Sequence, residues 1–179
     1  AQQTAELLSG LVLMQIIHPG LPTVYAGASA HADMRDVSNV MGSIEAQMMN
    51  AATIQMAHYY QIPSGTGAVF GYSDSKRNDY QGGADSVIGQ LLLTLSGANV
   101  VYGIGELAGM DANSLEKVVM DHEIFRSIKK FLNGIPVSKE TLAFDIVKEV
   151  GPEGDFLGNK HTHEWFKKEY IFADILDRK

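Results

Sequence analysis

Residues 67–98, GAVFGYSDSKRNDYQGGADSVIGQLLLTLSGA, spell out one unit of fold. Gly67–Tyr72 is apolar and reads as a strand buried on both faces. Ala84–Ser96 reads as a helix closed by Gly97. Between them lies a junction, Gly71–Gly83, crowded with serines, acids, bases, amides and a tyrosine. A strand-to-helix turn needs only a Gly or a capping Asp. The excess of polar groups marks the junction as a place where chemistry is done.

The same unit repeats on either side. Pro22–Ala28 (PTVYAGA) reads as a strand, followed by a helix over Gly42–Gln61 capped at Ser43. Asn99–Gly105 (NVVYGIG) reads as a third strand, followed by a helix over Ser114–Gly134 with an N-cap Ser and a terminal Gly. An apolar helix, Ala5–Ile17, precedes them and stops at His18-Pro19-Gly20. One further helix is expected over Ser138–Gly151, and a looser, helical C-terminal tail carries Trp165, Phe166, Tyr170 and Phe172. Alternating strands and helices imply an α/β fold with a parallel sheet and right-handed crossovers. A free-standing three-stranded parallel sheet leaves two bare edges. A (β/α)8 TIM barrel takes about 250 residues. The 179 residues are therefore expected to form one domain, the C-terminal part of such a barrel. The alternative is a small doubly wound domain. The opening AQQTAELLSG, without an initiator Met, fits a piece of a longer protein.

Composition narrows the function. Apolar residues make up 45% and charged residues 20%, enough for a packed core. A net charge of −7 argues against a nucleic-acid partner, which needs clustered Lys and Arg. The absence of cysteine excludes disulfides, zinc–thiolate sites and cysteine nucleophiles in this chain, and is compatible with a cytoplasmic setting. No apolar run reaches the roughly 18–20 residues that span a bilayer, so no membrane role is expected.

Ligands bind at the carboxyl ends of parallel strands in both architectures. Three polar loops follow the three strands: Ser29–Asp36, Ser73–Gln81 and Gly105–Asp111. Loops at the other rim are shorter and blander. His31 is the best acid/base candidate because it titrates near neutrality. Glu106, directly after an apolar strand, is expected to be paired or used. Asp74 and Asp79 are candidate catalytic carboxylates, although either can simply cap the next helix. Lys76 and Arg77 can be ordinary partners of nearby acids. His161 and His163 would share one side of a strand, but no third ligand follows, so no metal site is expected.

These residues carry a resemblance. YAGASAHADMRD (25–36), SDSKRNDYQGGADS (73–86), EKVVMDHEI (116–124) and GPEGDFLGNKHT (151–162), in this order and after QQTAELLSGLVLMQIIHPG (2–20), resemble the C-terminal part of the trimethylamine methyltransferase family. The resemblance implies a TIM-barrel transferase with an upstream portion beyond this sequence. It implies transfer of a methyl group from a methylamine or betaine to the cobalt of a corrinoid (cobalamin) carried on a partner protein. That is one-carbon metabolism of the kind tied to methanogenesis. Founding members carry pyrrolysine; only standard residues occur here, which favours the branch acting on glycine betaine and related quaternary amines. On that reading Tyr25, Phe70, Tyr72, Tyr80 and Tyr102 offer aromatic faces to an ammonium group. Asp33, Asp74, Asp79 and Glu106 offer charge. His31, Arg35, Lys76, Ser73 and Ser75 offer donors to a carboxylate, and Ser29 and Gln81 complete the expected pocket. Catalysis falls to His31, Asp74 and Asp79, and an oligomer is expected. A binding module without turnover and an inactive structural fragment are the competing readings.

Overall fold

The computed structural model describes residues 1–65 and 71–177. They form two compact units, residues 1–128 and 129–179. Unit 1 holds helix α1 (Gln2–Ile17), strand β1 (Tyr25–Ala26), hairpin strands β2 (His31–Ala32) and β3 (Asn39–Val40), and helix α2 (Ile44–Tyr59). It continues with β4 (Ser64–Gly65), α3 (Tyr80–Leu95), a second hairpin of β5 (Glu106–Leu107) and β6 (Ala112–Asn113), and most of α4 (Leu115–Asn133).

The parallel sheet is small but in the expected order. β1 pairs with β4 in parallel, Tyr25 opposite Ser64 and Ala26 opposite Gly65. Gly65 bridges in parallel to Val100 on its other side. Sequence order is therefore spatial order. Asn99 sets the third segment: its Oδ1 accepts from the Ser64 amide at 2.9 Å, and Ser64 O accepts from the Asn99 and Val100 amides. The first strand is shorter than Pro22–Ala28. The second begins at Ser64, before the expected Gly67, and most of the expected run, with Phe70, lies outside the described residues. In the third, only Val100 pairs among the described residues.

Helix ends follow their caps. Ser43 accepts from the Ala46 amide and opens α2. α3 starts one turn earlier than expected, because Asp79 rather than a later residue is the N-cap. The apolar periodicity begins only at Ala84, so DYQGG reads as loop although it is the first turn. α2 and α3 pack side by side. The core beside them is Met41, Ile54, Tyr72 and Leu93, joined by Ala51, Val101 and Phe125. The second half of α1 is rich in apolar residues, and Leu13, Ile16 and Ile17 are 57%, 72% and 69% exposed.

One buried ion pair ties unit 1 together. Lys117 and Asp121, successive turns of α4, are each 1% exposed. Lys117 Nζ donates to Gly71 O at 2.6 Å, to Ser86 Oγ at 2.6 Å and to Asp121 Oδ2 at 2.7 Å. Asp121 Oδ2 also accepts the Gly105 amide at 2.8 Å. Gly71 sits at φ +81°, and a Cβ there would stand 3.2 Å from Gly103 O, so both conformation and space demand glycine.

Unit 2 is helical. The expected single helix over Ser138–Gly151 is two, α5 (Lys139–Leu142) and α6 (Phe144–Val150), because Ala143 adopts the left-handed region at φ 49°. The expected helical tail contains α7 (Lys160–Glu169), capped by Asn159. His161 and His163 lie on it rather than on a strand. His161 stacks on Trp165 and His163 meets Phe166 edge-on, which places both rings in aromatic packing. Among the described residues no helix is long and apolar enough to cross a membrane.

Removing one partner of a fully buried pair strands the other charge, at a cost of about 3–5 kcal/mol. Lys117→Met is therefore expected to lower unfolding stability by that amount in urea denaturation followed by circular dichroism. A loss under about 1 kcal/mol would show that Asp121 finds compensation elsewhere.

Candidate functional site

The three strand-end loops meet. A cavity of about 710 Å³ in unit 1 is lined by Asp33, Arg35, Asp36 and Ser38 from the first loop, Asp74 and Lys76 from the second, and Gly109 and Asp111 from the third. A larger cavity of about 930 Å³ in unit 2 is walled by residues 169–177 and Lys130. There Lys130 and Glu169 are paired with each other at 2.9 Å, and chain-end apolar groups supply much of the wall. The chemistry-bearing side chains gather in the first.

The first loop is a hairpin. His31 pairs with Val40 and Ala32 with Asn39 in antiparallel register. Asp33 closes its turn by accepting from the Arg35 amide and guanidinium, and Asp36 accepts from the Ser38 amide and hydroxyl. The Arg35 guanidinium holds the Asp33 carboxyl well below the usual carboxylate range. Ser38 does the same for Asp36, to a smaller extent.

The second loop is the hub. Asp74 accepts the amides of Met41 and Gly42 on its two oxygens, each at 2.9 Å, clasping the segment that leads into α2. Ser73 O and Ser75 O accept the amides of Gly109 and Ala108, zipping the loop to the third hairpin. That hairpin turns through Ala108, Gly109 and Met110, all at positive φ. A non-glycine residue there stores strain of about 1–3 kcal/mol. The outcome is that Gly109 lies against the cavity, 3.5 Å from Asp74 Oδ1 measured from an added Cβ.

Behind Asp74 stands Asp85, on the second turn of α3. Its Oδ2 accepts the Ser73 hydroxyl at 2.7 Å and the Asp74 amide at 3.3 Å. Burial raises the Asp85 carboxyl above its ordinary value, and the Asp74 charge adds to this against the Ser73 hydrogen bond. Gly42 is pinched between the two acids: an added Cβ would lie 2.7 Å from Asp85 Oδ2 and 3.2 Å from Asp74 Oδ2. Asp85 was not among the residues singled out from sequence. It sits inside an apolar helical run, and only its spacing of six residues from the Asp79 cap, read with the helix start in hand, would have pointed it at the junction.

The other candidates separate into three groups. Asp74, Asp33, Arg35 and Lys76 line the cavity. Lys76 makes no hydrogen bond or ion pair among the described residues, so it is the free cation of the wall. Tyr72, Tyr102 and Glu106 form a second cluster. Tyr72 is buried, and its phenol is pushed up to about 12 by burial first, then by Glu106 and Tyr102. Tyr102 is 45% exposed. The third group has local work. Tyr25 packs 6.3 Å from Tyr60 and lines a different cavity, with Met49 and Thr53. Ser29 is held by Asn50 and Gln3. His31 Nε2 lies 2.9 Å from Ser43 Oγ, at the start of α2. Ser75 donates to Asp79, and Asp79 accepts the Gly82 amide as the α3 cap. Tyr80 is 90% exposed and Gln81 is exposed, with a 3.5 Å approach to Asp85.

Comparison with known proteins follows this geometry. The model of the trimethylamine methyltransferase (MTTB) family matches residues 1–179. The chain belongs to the trimethylamine methyltransferase family. A glycine betaine methyltransferase of Desulfitobacterium hafniense (strain Y51) is 38% identical over 98% of this chain and 36% of its own length. An L-carnitine:corrinoid methyltransferase of Eubacterium limosum is 35% identical over 99% of this chain and 37% of its own. A trimethylamine methyltransferase MttB of Methanosarcina barkeri (strain Fusaro / DSM 804) is 38% identical over 89% of this chain and 32% of its own. The chain thus spans about a third of the length of these curated relatives.

Asp79 yields a pH prediction. The Gly82 amide, then the Ser75 hydroxyl, lower its carboxyl below the ordinary value of 3.8. A depressed folded value means the stabilisation is present above the unfolded value, about 3.9, and is lost as pH falls through the folded one. Asp79→Asn keeps a capping oxygen but cannot titrate. Its stability, from urea midpoints measured between about pH 2 and 7, should fall less steeply with acid than the parent's. Identical acid limbs would show that Asp79 contributes no linkage.

Proposed function

We propose that this chain supplies part of the substrate-binding face of a corrinoid-dependent methyltransferase acting on a quaternary amine such as a betaine. The supporting observation is the meeting of three successive strand-end loops around one acid-rich cavity in a chain of this family. On this reading the three parallel segments are neighbouring staves of a (β/α)8 barrel. Their spatial order follows their sequence order, whereas a doubly wound sheet reverses direction at its centre. The working protein is cytoplasmic and oligomeric.

The wall carries four aspartates against one arginine and one lysine. Asp33 and Arg35 are bound to each other. The remaining field favours a cation, and a small concave site concentrates it. Asp74 has the most fixed carboxylate, anchored on two backbone amides, so it meets an ammonium group without reorganising. Lys76 is free to meet a carboxylate at the other end of a betaine. Tyr72 belongs to the core beside the loops, and neither it nor Tyr102 lines this wall, so the recognition here is by charge.

The partner's corrinoid supplies a reduced cobalt nucleophile, to which the methyl carbon passes while the C–N electron pair stays on nitrogen and a neutral tertiary amine leaves. What these residues contribute is orientation and exclusion of water around the donor. Positive charge on nitrogen fades as the bond breaks, so a carboxylate beside it holds the bound donor more than the transition state. Asp74 is accordingly a binding residue. His31 and Asp79 are engaged with helix starts, and the acid/base work expected of them has no call in this transfer.

The test uses the full-length protein with its corrinoid partner reduced to cobalt(I), following cobalt absorbance with betaine, carnitine or trimethylamine. Asp74→Ala should raise KM for the active donor about tenfold or more, the scale of one charge-assisted contact. Lys76→Ala should weaken a carboxylate-bearing donor about tenfold and leave tetramethylammonium affinity, by calorimetry, within about twofold. Absence of methyl transfer from every donor would refute the reading.

A further inference from the structure

Asp85 does not itself line the cavity, yet the wall's best-placed carboxylate depends on it. Ser73 Oγ–H and the Asp74 N–H converge on the same Asp85 oxygen, Oδ2, and Gln81 Nε2 approaches that oxygen at 3.5 Å. Ser73 is fully buried, so its hydroxyl has no water to fall back on. The Ser73 oxygen in turn accepts the Ser75 amide at 3.0 Å. The peptide carrying Asp74 is thus suspended from one acceptor on α3, and its side chain clasps the Met41 and Gly42 amides on the far side.

We infer that Asp85 is a positioning residue that sets where the Asp74 carboxylate stands, and that it acts as a hydrogen-bond acceptor rather than as a charge. Since all donors use one oxygen, a carbonyl oxygen in its place serves as well. Asn can present Oδ1 to Ser73 and Asp74 and turn its amide away; Ala presents nothing. The inference rests on the cavity reading only for its kinetic readout.

The experiment compares Asp85→Ala, Asp85→Asn and Ser73→Ala in the full-length protein. Hydrogen exchange is read at the Met41 and Gly42 amides, and KM and kcat are read for the active donor. Asp85→Ala should speed exchange at those two amides at least tenfold and raise KM about tenfold, with kcat within about twofold, since a displaced Asp74 loses uniform binding. Asp85→Asn should return both quantities to within about twofold of the parent. If Asp85→Ala fails to fold, Ser73→Ala, which removes one donor and leaves the acid, should show the same pattern at smaller amplitude. Asn as damaging as Ala overturns the inference, because charge is then what matters. Unchanged exchange at Met41 and Gly42 in both Asp85→Ala and Ser73→Ala also overturns it. Exchange that rises in Ala and recovers in Asn, in a protein that transfers no methyl group, upholds the positioning role and refutes the functional reading alone.

Discussion

An ammonium group driven into the middle of unit 1 is the constraint on which the site depends. Lys117 gives up its water, an expensive step that a single carboxylate seldom repays. Here its three protons all find oxygen: a backbone carbonyl, a hydroxyl and the Asp121 carboxylate. The partners come from the start of the second loop, the inner face of α3 and α4 itself. Through Asp121 the tie extends to Gly105, where the third loop begins. Two of the three loops around the cavity therefore leave from points fixed against the same buried ion pair, Gly71 by Lys117 and Gly105 by Asp121. Apolar packing could supply comparable stability, but it lacks the directionality that hydrogen bonds to Gly71 O and from the Gly105 amide impose on those two glycines.

From that anchor outward the loops hold one another. The second loop binds the first through Asp74 and the third through the carbonyls of Ser73 and Ser75. Serine suits this role because it is small enough to bury and has both a donor and acceptors. The density of serines and aspartates at the junction is thus mostly mortar. A minority of those groups, Asp74 and Lys76 foremost, face the cavity. The polar excess that marked residues 71–83 as a chemical site has two purposes, and the greater share of it builds the wall.

Much of this was legible in advance. The strand-helix alternation, the parallel pairing and the capping by Ser43 and Ser114 follow from local chemistry, and the structure bears them out. The convergence of three loops on one rim follows from parallel topology. What failed did so for identifiable reasons. α3 began early because its first turn, DYQGG, has no apolar signal and owes its existence to the Asp79 cap. The bounds of α7 within the expected helical tail were not legible, because HTHEWFKK mixes histidine and aromatic residues that pair on a helix as readily as on a strand. Ala143 divides a continuous helical pattern through a backbone angle that no composition rule assigns to alanine. Asp85 was missed since an acid within an apolar helix reads as solvent-facing until its neighbours are known. Tyr25 turns to Tyr60 and Ser29 to Asn50 instead of to the acid-rich cavity, since proximity to a strand says nothing about which face a side chain takes.

The pinch at Gly42 constrains sequence as well as shape. Two carboxylates occupy the space that any larger residue at this position would need. A methyl group at position 42 displaces the tip of the Asp85 side chain, which can turn aside only by letting go of the Ser73 hydroxyl and the Asp74 amide. The two positions are therefore coupled: a side chain at 42 and a fully engaged acid at 85 compete for one space.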